Sequence, residues 1–259
     1  MKIRVVFRLS AVAVCFALLC AGHAPAATNC TINTGLDPAC PLTAAGVQTG
    51  TAVFDSAATQ RDDDLFASLA LRADAQISVA LPLYQHLGVA GAGEAYGSGN
   101  LALGYTRAFG GKKRLTQFAG LDVDAAIGST SFPAAARSQL APLYGVSYAI
   151  GRHISLVTTA QYTFDVGGTR IPFAPMTQQL SVVPRAIVDL SKSGLYTAFG
   201  IAGSSVTGQE RYQAYQSDAV LGIARPRFAL SATYSIPIAY YTYHHVFNHA
   251  FGFQFSLKR

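Results

Sequence analysis

From Leu65 to Leu81 apolar residues hold every second position: Leu65, Ala67, Leu69, Leu71, Ala73, Ala75, Ile77, Val79 and Leu81. Ser68, Arg72, Asp74, Gln76 and Ser78 fall between them. Side chains of a β-strand point to opposite faces in turn, so this spacing predicts a ribbon with one aliphatic and one polar face. The pattern recurs. Ile154, Leu156, Ala160, Tyr162, Phe164 and Val166 alternate with Ser155, Thr159, Gln161, Thr163 and Asp165; Leu180, Val182, Ala186 and Val188 alternate with Gln179, Ser181, Arg185 and Asp189. Phe251, Phe253, Phe255 and Leu257 alternate with Gly252, Gln254, Ser256 and Lys258. Ten strands are predicted, over residues 65–82, 99–109, 114–128, 138–150, 153–166, 177–190, 195–206, 216–224, 227–240 and 248–258.

The connections alternate as well. Gly110 to Lys113, Gly151-Arg152, Ser191 to Gly194 and Arg225-Pro226 are short, whereas 83–98, 129–137, 167–176, 207–215 and 241–247 are longer. Short periplasmic turns, longer extracellular loops and an even strand number belong to outer-membrane barrels. Most of these strands reach the about 9 to 11 residues of a tilted membrane strand, against about 5 to 6 in soluble sheets. The predicted fold class is therefore all-β: a transmembrane, antiparallel, up-and-down β-barrel of ten strands over residues 65–259, with both termini on the periplasmic side. Tyr105, Phe109, Tyr162, Phe164, Tyr240 and Tyr241 suit interfacial aromatic girdles.

Residues 27–64 read differently, being rich in Thr, Ala, Gly, Asp and Pro, with Thr51 to Phe54 as a brief strand-like run. They are expected to form a periplasmic segment, a plug entering the lumen, or two further strands that make the barrel twelve-stranded. The run Asp62-Asp63-Asp64 reads as a solvated acidic cap on the periplasmic side, ahead of the first strand.

Charged residues are only 12% of the chain, half the usual share of about 25%, which fits a surface that meets lipid. No internal stretch supplies the about 20 consecutive apolar residues of a membrane helix. At the N-terminus Lys2, Arg4 and Arg8 precede the apolar run Ala11 to Ala21 and then Ala24-Pro25-Ala26. Residues 1–26 thus read as a secretory signal peptide. That segment holds three of the nineteen basic residues and none of the thirteen acids, so the remainder is only slightly basic and implies no nucleic-acid partner. Cys30 and Cys40 are the two cysteines that follow it, and export to an oxidising compartment makes a disulfide between them the expected state.

The strand phases assign Arg72, Asp74, Asp122, Asp124, Asp165, Arg185, Asp189, Asp218 and Arg227 to the lumen. Three cations against six anions can form an ion-pair network, or a constriction of net negative charge that favours cations. No G-x-S-x-G or H-E-x-x-H motif is present, and His244, His245 and His249 have no carboxylate pair in the same loop. No enzymatic activity, catalytic residue, metal or cofactor is expected.

Gly252, Phe255 and Leu257 match the glycine, aromatic and hydrophobic spacing of the terminal strand signal read by barrel-assembly machinery, although Lys258 and Arg259 follow it. The run Arg72 to Pro82, followed by Gly97-Ser98-Gly99-Asn100-Leu101-Ala102-Leu103-Gly104-Tyr105, resembles the early strands of the MetA-pathway phenol-degradation family of outer-membrane proteins. Asn100 stands where that family usually has Asp, and the chain has no Trp. The resemblance implies a channel or transporter-like barrel in the bacterial outer membrane, passing small solutes, aromatic or hydrophobic ones among them. Its expected partners are outer-membrane lipid, the assembly machinery and a small-molecule solute. A structural or loop-presenting barrel, and an outer-membrane hydrolase, are the alternatives.

Overall fold

The computed structural model describes residues 34–54, 58–89, 93–97, 99–112, 114–126, 137–168, 177–208, 212–241 and 248–259. The expected signal peptide, Cys30, His244 and His245 lie outside them. All regular structure in the described residues is β-strand: β1 (Ala44–Val53), β2 (Ala58–Arg72), β3 (Ala75–Val89), β4 (Gly93–Gly97), β5 (Leu101–Lys112), β6 (Leu115–Ala125), β7 (Arg137–Ile150), β8 (Ile154–Gly168), β9 (Thr177–Asp189), β10 (Leu195–Gly208), β11 (Tyr212–Ala224), β12 (Phe228–Tyr241) and β13 (His249–Lys258).

Each strand pairs antiparallel with its chain neighbour, and β1 pairs with β13 from Ala44↔Lys258 to Val53↔His249, which closes the sheet. β4 and β5 both pair with β3, the first along Gln85–Val89 and the second along Ala75–Ala80, so together they make one interrupted stave. The result is a closed, twelve-stave, up-and-down barrel, the larger of the two sizes the sequence allows.

The two additional staves come from a segment the alternation misassigned. Residues 65–82 are not one strand: Ala73 and Asp74 form a turn between β2 and β3. A bulge at Leu71 sets Leu69 opposite Ile77, so odd-numbered residues stay on the same face through the turn and the period of two never breaks. The barrel accordingly begins at Ala44 rather than at Leu65. Asp62, Asp63 and Asp64 are part of the wall, opposite Gly50, Thr49 and Gln48, and not a cap ahead of it.

The exterior is apolar. Leu65, Leu69, Leu71, Ile77, Val79 and Leu81 are all exposed, as are Leu180 and Val182 on β9, Phe199 and Ile201 on β10 and Phe251, Phe253, Phe255 and Leu257 on β13. Soluble monomers rarely expose a continuous apolar belt of this kind, and a closed barrel satisfies its backbone in lipid. Aromatic contacts flank this belt: Phe109 meets the exposed Tyr144 nearer the short turns, and the exposed Tyr162 meets the buried Phe164 nearer the long loops. The side chains of Tyr240 and Tyr241 lie outside the described set.

Inside, the short-turn end is packed. Ala108, Phe118, Val157, Ile187, Tyr196, Ala198 and Val220, all on inward positions, form one cluster with Ala39, and Leu36 packs against it. Phe118 lies over Gly145, its register partner, where an added Cβ would stand 2.3 Å from the ring. Tyr196 lies over its own partner Gly222 in the same way, 2.5 Å from such a Cβ. A glycine opposite each ring lets the aromatic lie flat across the neighbouring strand, which is how so broad a barrel fills its floor.

Candidate functional site: the lumen

Residues 34–43 run into the barrel at the short-turn end. Asp37 accepts a hydrogen bond from Ser147 Oγ on β7 at 2.6 Å and from the Ala39 amide at 2.9 Å. Farther along, the Leu42 amide donates to Gln76 Oε1 on β3, Ser68 Oγ donates to the Leu42 carbonyl, and the Ala70 amide donates to Thr43 Oγ1. The segment is therefore fastened to β2 and β3 at one end and to β7 at the other. Ala39 and Cys40 are buried, and Cys40 is disulfide-bonded. Burial holds the Asp37 carboxyl above its ordinary range, against the opposing pull of its hydrogen bonds from Ser147 and Ala39.

Above this floor the lumen opens into a cavity of about 470 Å³ whose polar groups are Gln48, Asp122, Asp124, Gln139, Gln161 and Gln179, with Ser68, Ser78, Thr163 and Ser181, set beside apolar Phe66, Ala80, Ala102 and Ala141. The inward faces of seven staves supply these polar groups. Gln161 Nε2 donates to Asp122 Oδ2 at 2.8 Å, and Gln48 Nε2 donates to Asp64 Oδ2 at 2.8 Å. Asp122 and Asp124 have no cation within ion-pair distance among the described residues. The same is true of Asp62 and Asp64.

The nine residues assigned to the lumen separate into two groups. Asp122, Asp124, Asp165, Arg185 and Asp218 face inward. Asp165 is nearly inaccessible and paired with Arg137 at 3.1 Å, with Gln139 Nε2 also donating to it at 2.9 Å. Arg185 and Asp218 flank Gly200, their common register partner, just above the floor. The other four lie at the short-turn rim. Arg72 and Asp74 border the β2–β3 turn, where Asp74 is held by Arg72 at 3.1 Å and Arg107 at 3.2 Å. Asp189 caps the turn after β9, accepting from the Ser191 amide and facing His153 at 3.6 Å. Arg227 is exposed in the turn before β12. All four sit at strand ends, where alternation no longer reports on direction because the chain is reversing.

Sequence reasoning missed Arg137, Asp62, Asp64 and the Asp37 latch. Arg137 opens β7 one residue before the predicted start. The triple-aspartate run had a readable signal, since Asp62 and Asp64 share the parity of Phe66 and Ser68 while Asp63 shares that of Leu65. Asp63 indeed faces outward, paired with Arg61 at 3.0 Å.

No family model matches the chain, and no curated protein is similar to it in sequence. Solved structures do resemble it in fold. An outer membrane channel from Pseudomonas putida F1 superposes with a TM-score of 0.71 at 10% identity, covering 84% of this chain and 95% of that one. The NanC porin superposes with a TM-score of 0.57 at 11% identity over 82% of this chain and 98% of that one. The KdgM porin gives 0.54 at 8% identity over 83% and 99%. At such identities the likeness is one of fold, the closed β-barrel of outer-membrane proteins.

Proposed function

We propose that this protein is an outer-membrane channel whose lumen admits small solutes and favours neutral hydrogen-bonding or cationic ones. The observation that carries the reading is the wall of the cavity: two carboxylates without a cationic partner among the described residues, set among four glutamine side chains inside an apolar exterior. Charged and amide side chains facing a lumen tune which solutes pass. Carboxylates in a low-dielectric wall attract cations and repel anions, and the amides replace part of a solute's hydration shell. The barrel likeness to a bacterial channel and two porins supports the transport class. Aromatic or hydrophobic solutes, which the family resemblance implies, would meet Phe66, Ala80, Ala102 and Ala141 in the same wall.

The test is the reversal potential of the refolded chain in a planar bilayer under a salt gradient. The reading predicts cation preference that falls when Asp122 and Asp124 are both changed to Asn. Anion preference, or a selectivity indifferent to that change, would remove the role given to the carboxylates. A second reading, a structural barrel without flux, draws on the packed floor, and a folded barrel that carries no current under any treatment would favour it.

A further inference from the structure

The geometry points to residues 34–43 as an internal gate: a strap that seals the short-turn end of the lumen by latching Asp37 to Ser147 and seating Ala39 in the apolar floor. It rests on the channel reading for its purpose but on packing alone for its existence.

Three observations converge on the strap. Its anchors differ in kind. At Leu42 and Thr43 it is joined to β2 and β3 by three hydrogen bonds next to the start of β1, so this end is a fixed hinge. At Asp37 it is joined to β7, three staves round the barrel from β3, by one side-chain contact among the described residues, Ser147 Oγ to Asp37 Oδ2. The stretch between them completes the floor, with Ala39 2% exposed among Ala108, Phe118, Val157, Tyr196 and Val220.

The second observation is that wall residues alone do not account for the seal. The cluster is supplied by β5, β6 and β8 to β11, with Leu143 of β7 packed against it, so that it spans one contiguous arc of the barrel. The facing arc of β12, β13, β1 and β2 presents small or polar inward groups near that end, including Ser231, Ser256, Ala44 and Ser68. Among the described residues the strap meets the apolar arc through Ala39 and Leu36, β7 through Asp37, and β2 and β3 through Leu42 and Thr43. Releasing it would expose the floor without breaking any strand pairing.

Third, the latch faces a small gap lined by Asp37, Ala39, Cys40, Arg114, Thr116, Ser147 and Ala149. A single hydrogen bond to a hydroxyl, rather than an ion pair, makes a contact that is broken and remade at modest cost.

The experiment introduces Val220→Cys in the full chain and measures its modification by a small charged methanethiosulfonate in lipid vesicles, without reductant, so that disulfide-bonded Cys40 is silent. A chain lacking Val220→Cys gives the background. Ala39→Arg then unseats the strap, because the buried site has no space for the longer side chain, while every strand residue except the probe is retained. Gel mobility before and after heating confirms the barrel.

The strap gate predicts slow labelling of Val220→Cys alone and labelling at least tenfold faster with Ala39→Arg. Ser147→Ala, which removes one side of the latch, gives an intermediate rise of roughly fivefold. Equal rates with and without Ala39→Arg, whether both fast or both slow, would overturn the gate. Single-channel recording of the same proteins separates the two claims. Faster labelling with larger current supports both. Faster labelling without current supports the strap and refutes the channel.

Discussion

The floor of the lumen can be tested by removing its most enclosed side chain. Phe118 is 0% exposed and lies across Gly145, with the Thr158 carbonyl on the far side of that glycine. Replacing Phe118 with Ala takes away about 3 kcal/mol of transfer free energy and leaves a void that adds about 1 to 2 kcal/mol. Gly145→Ala acts from the other partner. Its Cβ would stand 2.3 Å from Phe118 Cζ and 2.4 Å from the Thr158 oxygen, and the backbone oxygen has no freedom to withdraw. That strain is worth about 1 to 3 kcal/mol.

Together the two changes should cost less than their sum, by about 1 kcal/mol, because the shortened side chain relieves the ring clash and leaves the carbonyl clash. Urea unfolding in lipid vesicles, followed by far-UV circular dichroism and gel mobility, measures all three; the chain has no Trp to serve as a fluorescence probe. A loss below about 1 kcal/mol for Phe118→Ala, far short of the usual Phe truncation, would refute a packed floor. Strict additivity would refute the ring-over-glycine contact.

Other consequences are as specific. Arg137→Ala should destabilise the barrel in the same urea assay, because it removes the cation 3.1 Å from the nearly inaccessible Asp165; Asp165→Asn should cost less, since it removes the charge that needs pairing. Gly46→Ala should prevent closure of the β1–β13 seam, since its Cβ would lie 1.9 Å from the Phe255 oxygen, and the variant should lose the compact gel species before heating. Leu221→Arg, at an exposed position within β11, should cost about 2 to 4 kcal/mol in lipid, whereas Gln161→Arg in the cavity wall should fold and lower cation preference.

The strap should respond to acidity. Burial raises the Asp37 pKa above its unfolded value of 3.8, so the seated strap gains stability that is complete below that value and lost as pH rises through the higher, folded one. Acidification should therefore reduce open probability, and Asp37→Asn should flatten the response. Arg114 lines the same gap but forms no ion pair with Asp37 among the described residues, so Arg114→Gln should leave the dependence little changed.

Strand membership and facing were legible wherever a strand alternates strong apolar and polar residues, because lipid and lumen impose opposite demands on successive positions. Leu180, Val182 and Phe253 illustrate it, each outward as the spacing requires. The same rule concealed the β2–β3 hairpin, since a two-residue turn with a bulge keeps odd residues outside on both arms. β1 was faint for another reason: Ala45, Val47, Thr49, Thr51 and Val53 make a weakly apolar outer face, and Gly46 and Gly50 opposite them add no signal. The lumen was half legible. Mid-strand residues such as Asp122 and Asp218 face as their parity requires, whereas Arg72, Asp74, Asp189 and Arg227 sit at turns where parity ends. The contact between Asp37 and Ser147 spans 110 residues, and no local pattern foretells it.

The measurement that bears most directly on the account is the current through a planar bilayer holding the refolded chain with Ala39→Arg, recorded under a salt gradient. Discrete openings with a reversal potential of cation sign, weakened by Asp122→Asn and Asp124→Asn together, are the predicted result. A correctly folded barrel that stays silent, or one that prefers anions, would contradict it.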